Sequence, residues 1–130
     1  MRPGIAGLAA DKPLSLRNPK KGAERMHVSI RRYGLLTREP VEKVLQGIRE
    51  GFIPIIKDQP GFLAYYALGS GDGTFTSISI FEHRAGAEKS NKMAVDWVGK
   101  NLINTLPTSP EIIVGEVGAH ELNLYKLGIR

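Results

Sequence analysis

Few side chains in this sequence can move a proton or hold an anion, and they are scattered along it. Three histidines, His27, His83 and His120, lie far apart, and there is no cysteine. Thiol catalysis, disulfides and thiolate metal sites are therefore excluded. The histidines form no ligand-spaced pair, so no metal site is expected. His83 is the best-placed general base, because it follows an apolar run at the entry to a helical pattern. Its plainer alternative is an exposed loop histidine. Arg31 offers a planar fork suited to an enolate or carboxylate, or, at a dimer seam or sheet edge, a salt-bridge partner. Asn91 either ties a helix start or hydrogen-bonds a ligand. Trp97, Tyr65 and Phe81 can wall an aromatic pocket, and each also reads as packing.

Other chemistries lack their signatures. Ser77 and Ser79 are small enough to leave room for a ligand, but no Gly-x-Ser-x-Gly turn surrounds them. The glycines from Gly69 to Gly73 are not followed by the Lys-Ser/Thr of a phosphate-binding loop. They read as a hairpin turn.

The elements that must position these groups follow from periodicity. Val28 and Ile30 alternate with His27, Ser29 and Arg31, the period of a half-buried strand. Thr37 or Glu39 then caps a helix that Pro40 opens. Val41, Val44, Leu45, Ile48, Phe52, Ile55 and Ile56 recur at helical steps, with a kink or early end expected near Phe52 because of Gly47, Gly51 and Pro54. Pro60-Gly61 stops that element. Two strand-like runs, Phe62 to Leu68 and Thr74 to Phe81, flank the glycine turn as a β-hairpin. Tyr65 and Tyr66 must point to opposite sides of their strand. A second helix spans 85–103, with Ala87, Ser90, Ala94, Trp97 and Val98 on one face. A last strand spans 111–117, where Gly115 marks a bulge or close packing. Residues 122–130 form a short apolar tail, read as an arm or returning strand.

Strand, helix, strand, strand, helix, strand is the split arrangement of an α+β, ferredoxin-like βαββαβ fold. Right-handed crossovers put both helices on one face of an antiparallel sheet. The hairpin is apolar on both faces, so the open face is expected to be covered by a second copy of the chain.

A net charge of +5 hints at nucleic acid until it is located. Six basic residues against two acidic ones precede Met26, while the rest is nearly neutral. The excess belongs to residues 1–25, expected to be a poorly ordered basic extension, with translation starting at Met26 as the simpler alternative. Residues 26–121 are the folded domain and 122–130 its tail. No nucleic-acid or membrane partner is expected, since no apolar run approaches the ~20 residues of a spanning helix. A cytoplasmic location is expected.

Pro60-Gly61-Phe62 before an aromatic strand, the glycine-rich turn, Phe81-Glu82 entering an Ala/Ser/Asn-rich helix, and Gly115-Glu116-Val117 together resemble the antibiotic biosynthesis monooxygenase-like domains of the dimeric α/β-barrel superfamily. The resemblance covers about residues 26–120. It implies a dimeric α/β barrel, a pocket between sheet and helices, and oxidation of a small aromatic or enolisable substrate without a cofactor. His83, Arg31 and Asn91 would then be catalytic, and Trp97, Tyr65 and Phe81 substrate-binding. Haem-degrading members resemble one another in an Asn on the first strand, a Trp near the third and a His on the second helix. This sequence matches none of the three, so haem is not expected. A non-catalytic ligand-binding or structural homodimer of the same fold is the alternative.

Overall fold

The structure, a computed structural model, describes residues 25–34, 41–103, 105–106 and 109–128. Nearly all of the expected basic extension, and the caps expected at Thr37, Glu39 and Pro40, lie outside the described residues.

Strand β1 is His27–Gly34, β2 Phe62–Gly69, β3 Thr74–Phe81 and β4 Glu111–Glu116. They form one antiparallel sheet in the order β2-β3-β1-β4. Helix α2 is Arg84–Asn101. Helix α1 is continuous but composite: an α-helical start, Val41–Gly47, a π-helical stretch, Ile48–Phe52, and a last α-helical turn, Ile53–Ile56. Both helices lie on the same face, and this is the α+β, ferredoxin-like fold expected from the periodicity.

Helix α1 does not stop near Phe52. It widens there, with Ile53 N–H donating back to Ile48 O, the five-residue step of a π-helix. The buried residues Val44, Ile48, Phe52 and Ile56 explain why. A strict four-residue repeat drifts around an α-helix of 3.6 residues per turn, and a wider π turn takes up that drift. Pro54 sits in the first turn of the closing α-helical stretch, where its missing N–H costs little.

The hairpin turn forms as expected. Asp72 Oδ1 accepts from Thr74 N at 3.0 Å, and Gly71 and Gly73 take φ of 79° and 85°, a region that favours glycine. Gly115 departs from expectation: it pairs regularly with Val28 and nothing crowds it. The sheet's irregularity lies instead between Phe62 and Ala64. The tail does not return to the sheet. Residues 124–128 make an exposed turn, with Asn123 O accepting from Leu127 N and Asn123 Oδ1 from Lys126 N.

The strand period is as expected, and the structure settles which face the helices cover. Ser29, Arg31 and Tyr33 of β1 and Phe75, Ser77, Ser79 and Phe81 of β3 are all buried under the helices. Val28, Ile30, Ile78 and Ile80 point the other way, alongside the exposed Tyr66, Leu68 and Ile113. The covered face is thus polar at its centre and the open face is apolar. Among the described residues, no helix is long and apolar enough to cross a membrane.

Candidate functional site

The polar centre is built around Arg31, whose 0% exposure makes it the largest fully buried side chain described. Small residues of α2, Ala87, Ser90 and Ala94, bring that helix close over β1 and β3. Arg31 Nε donates to Ser77 Oγ at 2.9 Å, and Nη2 donates to Ser79 Oγ at 2.6 Å. Nη1 donates to Asn91 Oδ1 at 2.9 Å and reaches Ser29 Oγ at 3.2 Å and Ser90 Oγ at 3.4 Å. Ser29 also donates to Asn91 Oδ1.

Every one of these partners is neutral. A buried guanidinium normally stands against a carboxylate, because an unpaired buried charge is costly. The salt-bridge role considered for Arg31 is therefore not what the structure shows. Burial lowers its pKa, with Tyr65 and Tyr33 acting against that shift, yet an arginine remains a cation at any ordinary pH. Tyr33 is pushed up to about 12, chiefly by burial. Tyr65 is also pushed up by burial, against the pull of Ser77 and Arg31. Both phenols are thus neutral at physiological pH and do not offset the charge. Asn91 does not tie the helix start. It lies well inside α2 and joins that helix to β1.

Trp97 and Tyr65 belong to a neighbouring aromatic cluster. Phe52 packs edge-on against Tyr65 with ring centroids 5.5 Å apart, and against Trp97 at 5.8 Å. Gly51, which reads from sequence as a helix weakener, has a steric role: a Cβ there would lie 2.6 Å from Trp97 Cζ2. Between these rings and the sheet a space of about 10 Å³ remains, lined by Tyr33, Tyr65, Ser77, Phe75, Trp97 and neighbours.

Phe81 and His83 lie elsewhere, on an open groove of about 240 Å³. Phe81 floors it, with Pro60, Met93 and Gly86 as walls and His83 and Lys89 as its basic groups. His83 is exposed and stands at the N-cap of α2, its carbonyl accepting from Gly86 N at 3.1 Å. The structure thus brings Arg31, Asn91 and Tyr65 together, sets Trp97 beside Tyr65, and puts His83 with Phe81. The two groups meet along β3: Phe81 is two residues from Ser79 on the same face. Among the described residues no cluster of three or more His, Asp or Glu could hold a metal. Ser29, Ser90 and Tyr33 were not singled out from sequence. Their signal was the alternation Ser29-x-Arg31-x-Tyr33, matched in β3 by Ser77-x-Ser79.

No family model and no curated protein matches the chain. Solved structures share its fold. A monooxygenase from ActVA-Orf6 of Streptomyces coelicolor, in complex with nanaomycin D, superposes with a TM-score of 0.60 at 14% identity, over 75% of this chain and 92% of the other. The cofactor-independent oxygenase SnoaB from Streptomyces nogalater gives 0.51 at 13% identity, over 76% and 97%. The NE2512 protein of unknown function from Nitrosomonas europaea gives 0.57 at 22% identity, over 75% and 93%. The chain shares the ferredoxin-like α+β fold with these proteins. At such identities the likeness extends to the fold alone, and a shared fold does not specify its chemistry. The site must therefore be argued from its own side chains.

Proposed function

We propose that this chain is a homodimeric, cofactor-independent oxygenase of a small aromatic, enolisable substrate. The observation that carries the reading is the fully buried Arg31 cation with only neutral partners. A site of this kind favours a ligand that becomes anionic on oxygen, and the stabilisation grows as that charge develops. The groove of about 240 Å³ has room for a small aromatic ring over Phe81, since about 150 Å³ suffices for benzene. His83 lines this groove, whereas Ser79 and Arg31 are fully buried and lie farther along β3, so the substrate's oxygen must reach past Phe81 to meet them. Trp97 and Tyr65 line the separate small space beside Arg31 and do not touch this groove.

His83 takes the proton from the acidic carbon, and Arg31, held by Asn91, stabilises the enolate oxygen. The carbanion donates electrons to dioxygen and a C–O bond forms. The O–O bond then breaks as water leaves and the new carbonyl is completed. For anthrone as probe, one dioxygen is consumed and one anthraquinone and one water are produced. The apolar open face of the sheet is covered by a second copy.

The test is oxygen uptake by the purified, chelator-treated protein with anthrone. Uptake matched one-to-one by anthraquinone is expected, falling about a hundredfold or more in Arg31→Met. No uptake above the uncatalysed rate, in protein that is folded, would overturn the reading. The second reading, a non-catalytic dimer, draws on the same cluster: its hydroxyls and amide engage Arg31 without any ligand. It predicts that Arg31→Met changes stability alone.

A further inference from the structure

The hydroxyl of Tyr33 is buried, with the residue only 2% exposed, and it has no hydrogen-bond partner among the described residues. Such groups are uncommon, because leaving one unmade costs about as much as a lost hydrogen bond. Tyr33 lines the small space beneath Trp97 together with Tyr65 and Ser77. That space, about 10 Å³, is far too small for a ring, but it is near the size that accepts one water-sized species. Arg31 Nε donates to Ser77 Oγ at 2.9 Å, and Ser77 in turn hydrogen-bonds the Tyr65 phenol. The walls therefore present one unpartnered O–H donor, that of Tyr33, with Arg31, whose described partners are all neutral, one hydrogen bond behind Ser77. The remaining lining, including Ile48, Phe52, Phe75, Ala94 and Val98, is apolar and offers no competing negative charge.

We propose that this space is a site for one small monoanion of the halide class, held by the Tyr33 hydroxyl in the field of Arg31. It shares no lining residue with the Phe81 groove, and its test does not use the oxygenase reaction. A neutral water would fit the same volume but would leave the guanidinium charge unmatched, whereas a chloride-sized anion supplies the missing partner.

The test uses linkage: an anion that binds the folded state raises the unfolding temperature as its concentration rises. Sodium chloride is exchanged for sodium gluconate at constant ionic strength, since gluconate is too large for the space. The wild type is expected to gain several degrees in chloride. Tyr33→Phe, which removes only the orphan hydroxyl, should lose most of that gain while unfolding in gluconate at the wild-type temperature or above. Crystals grown in sodium bromide should show an anomalous peak within hydrogen-bond distance of Tyr33 Oη. Equal chloride dependence in the two proteins, or no bromide at Tyr33 in wild-type crystals, would overturn the site. A large drop in the variant's unfolding temperature in gluconate would also overturn it, by showing that the hydroxyl is structural.

Discussion

Nη1 of Arg31 donates a 2.9 Å hydrogen bond to Oδ1 of Asn91, so a cation with no counter-ion among the described residues is tied to the second helix by a neutral amide. One atom of Asn91 decides whether that charge is free for a ligand. Asn91→Asp replaces the amide with a carboxylate of the same shape. We expect it to stabilise the fold by about 1–2 kcal/mol at pH 7, the scale of a charge-assisted hydrogen bond over a neutral one. Arg31 would depress the new carboxyl's pKa, so the gain is present above its unfolded value and is lost as pH falls through the folded one. Denaturant unfolding at pH 7 and at pH 3 checks both the gain and its sign. The same variant should lose affinity for anionic ligands.

Tyr33 provides a second pH test at the other extreme. Its phenol is pushed up to about 12, chiefly by burial. Below pH 10 it is neutral in both the folded and the unfolded chain. Above pH 10 the unfolded chain ionises first, so stability is lost as pH rises towards 12, by about 2–3 kcal/mol from this group. Tyr33→Phe should flatten that alkaline limb, as read by urea midpoints between pH 9 and 12.

Gly51→Ala separates packing from helix propensity. Alanine in an exposed helix would gain up to about 1 kcal/mol over glycine. Here its Cβ would approach Trp97 Cζ2 to 2.6 Å, and overpacking of that kind costs about 1–3 kcal/mol. We expect net destabilisation with a shifted emission maximum from Trp97, the only tryptophan in the chain. Unchanged emission would show that the indole does not rest on Gly51.

How far the sequence could be read divides along physical lines. The hairpin, both helices and the order of the strands were legible, because each rests on local periodicity and on turn residues such as Gly71, Asp72 and Gly73. Which face of the sheet the helices cover was not. Val28, Ile30, Ile78 and Ile80 alternate with polar residues as they would in any amphipathic strand, and period alone does not tell which side is covered. Arg31 accordingly read as an enolate ligand or a salt-bridge partner, and its burial among serines comes from β3 and α2 folding over it. Gly51 is a similar case: its reason lies in Trp97, which is remote in sequence. His83 was correctly placed at a helix entry, but its separation from Arg31 by the span of β3 needed the fold.

The open face carries its own prediction. Ile113 is 65% exposed on the edge strand β4, beside Ile30, on the apolar open face that also carries Tyr66 and Leu68. Ile113→Lys would place a charge in the proposed seam between two copies, where an unpaired buried charge is costly. Light scattering with size-exclusion chromatography should give a dimer for the wild type and a monomer for the variant. A wild-type monomer would remove the homodimer.

The most direct test of the central claim, that the buried Arg31 charge is there for an anionic aromatic ligand, is native mass spectrometry of the protein titrated with 2-hydroxy-1,4-naphthoquinone, an enol that is ionised at neutral pH. It reads mass and stoichiometry together. We predict a dimer carrying one quinone per subunit, with little or no retention by Asn91→Asp. Protein that retains no quinone, or an Asn91→Asp variant that retains it as well as the wild type, would contradict the account.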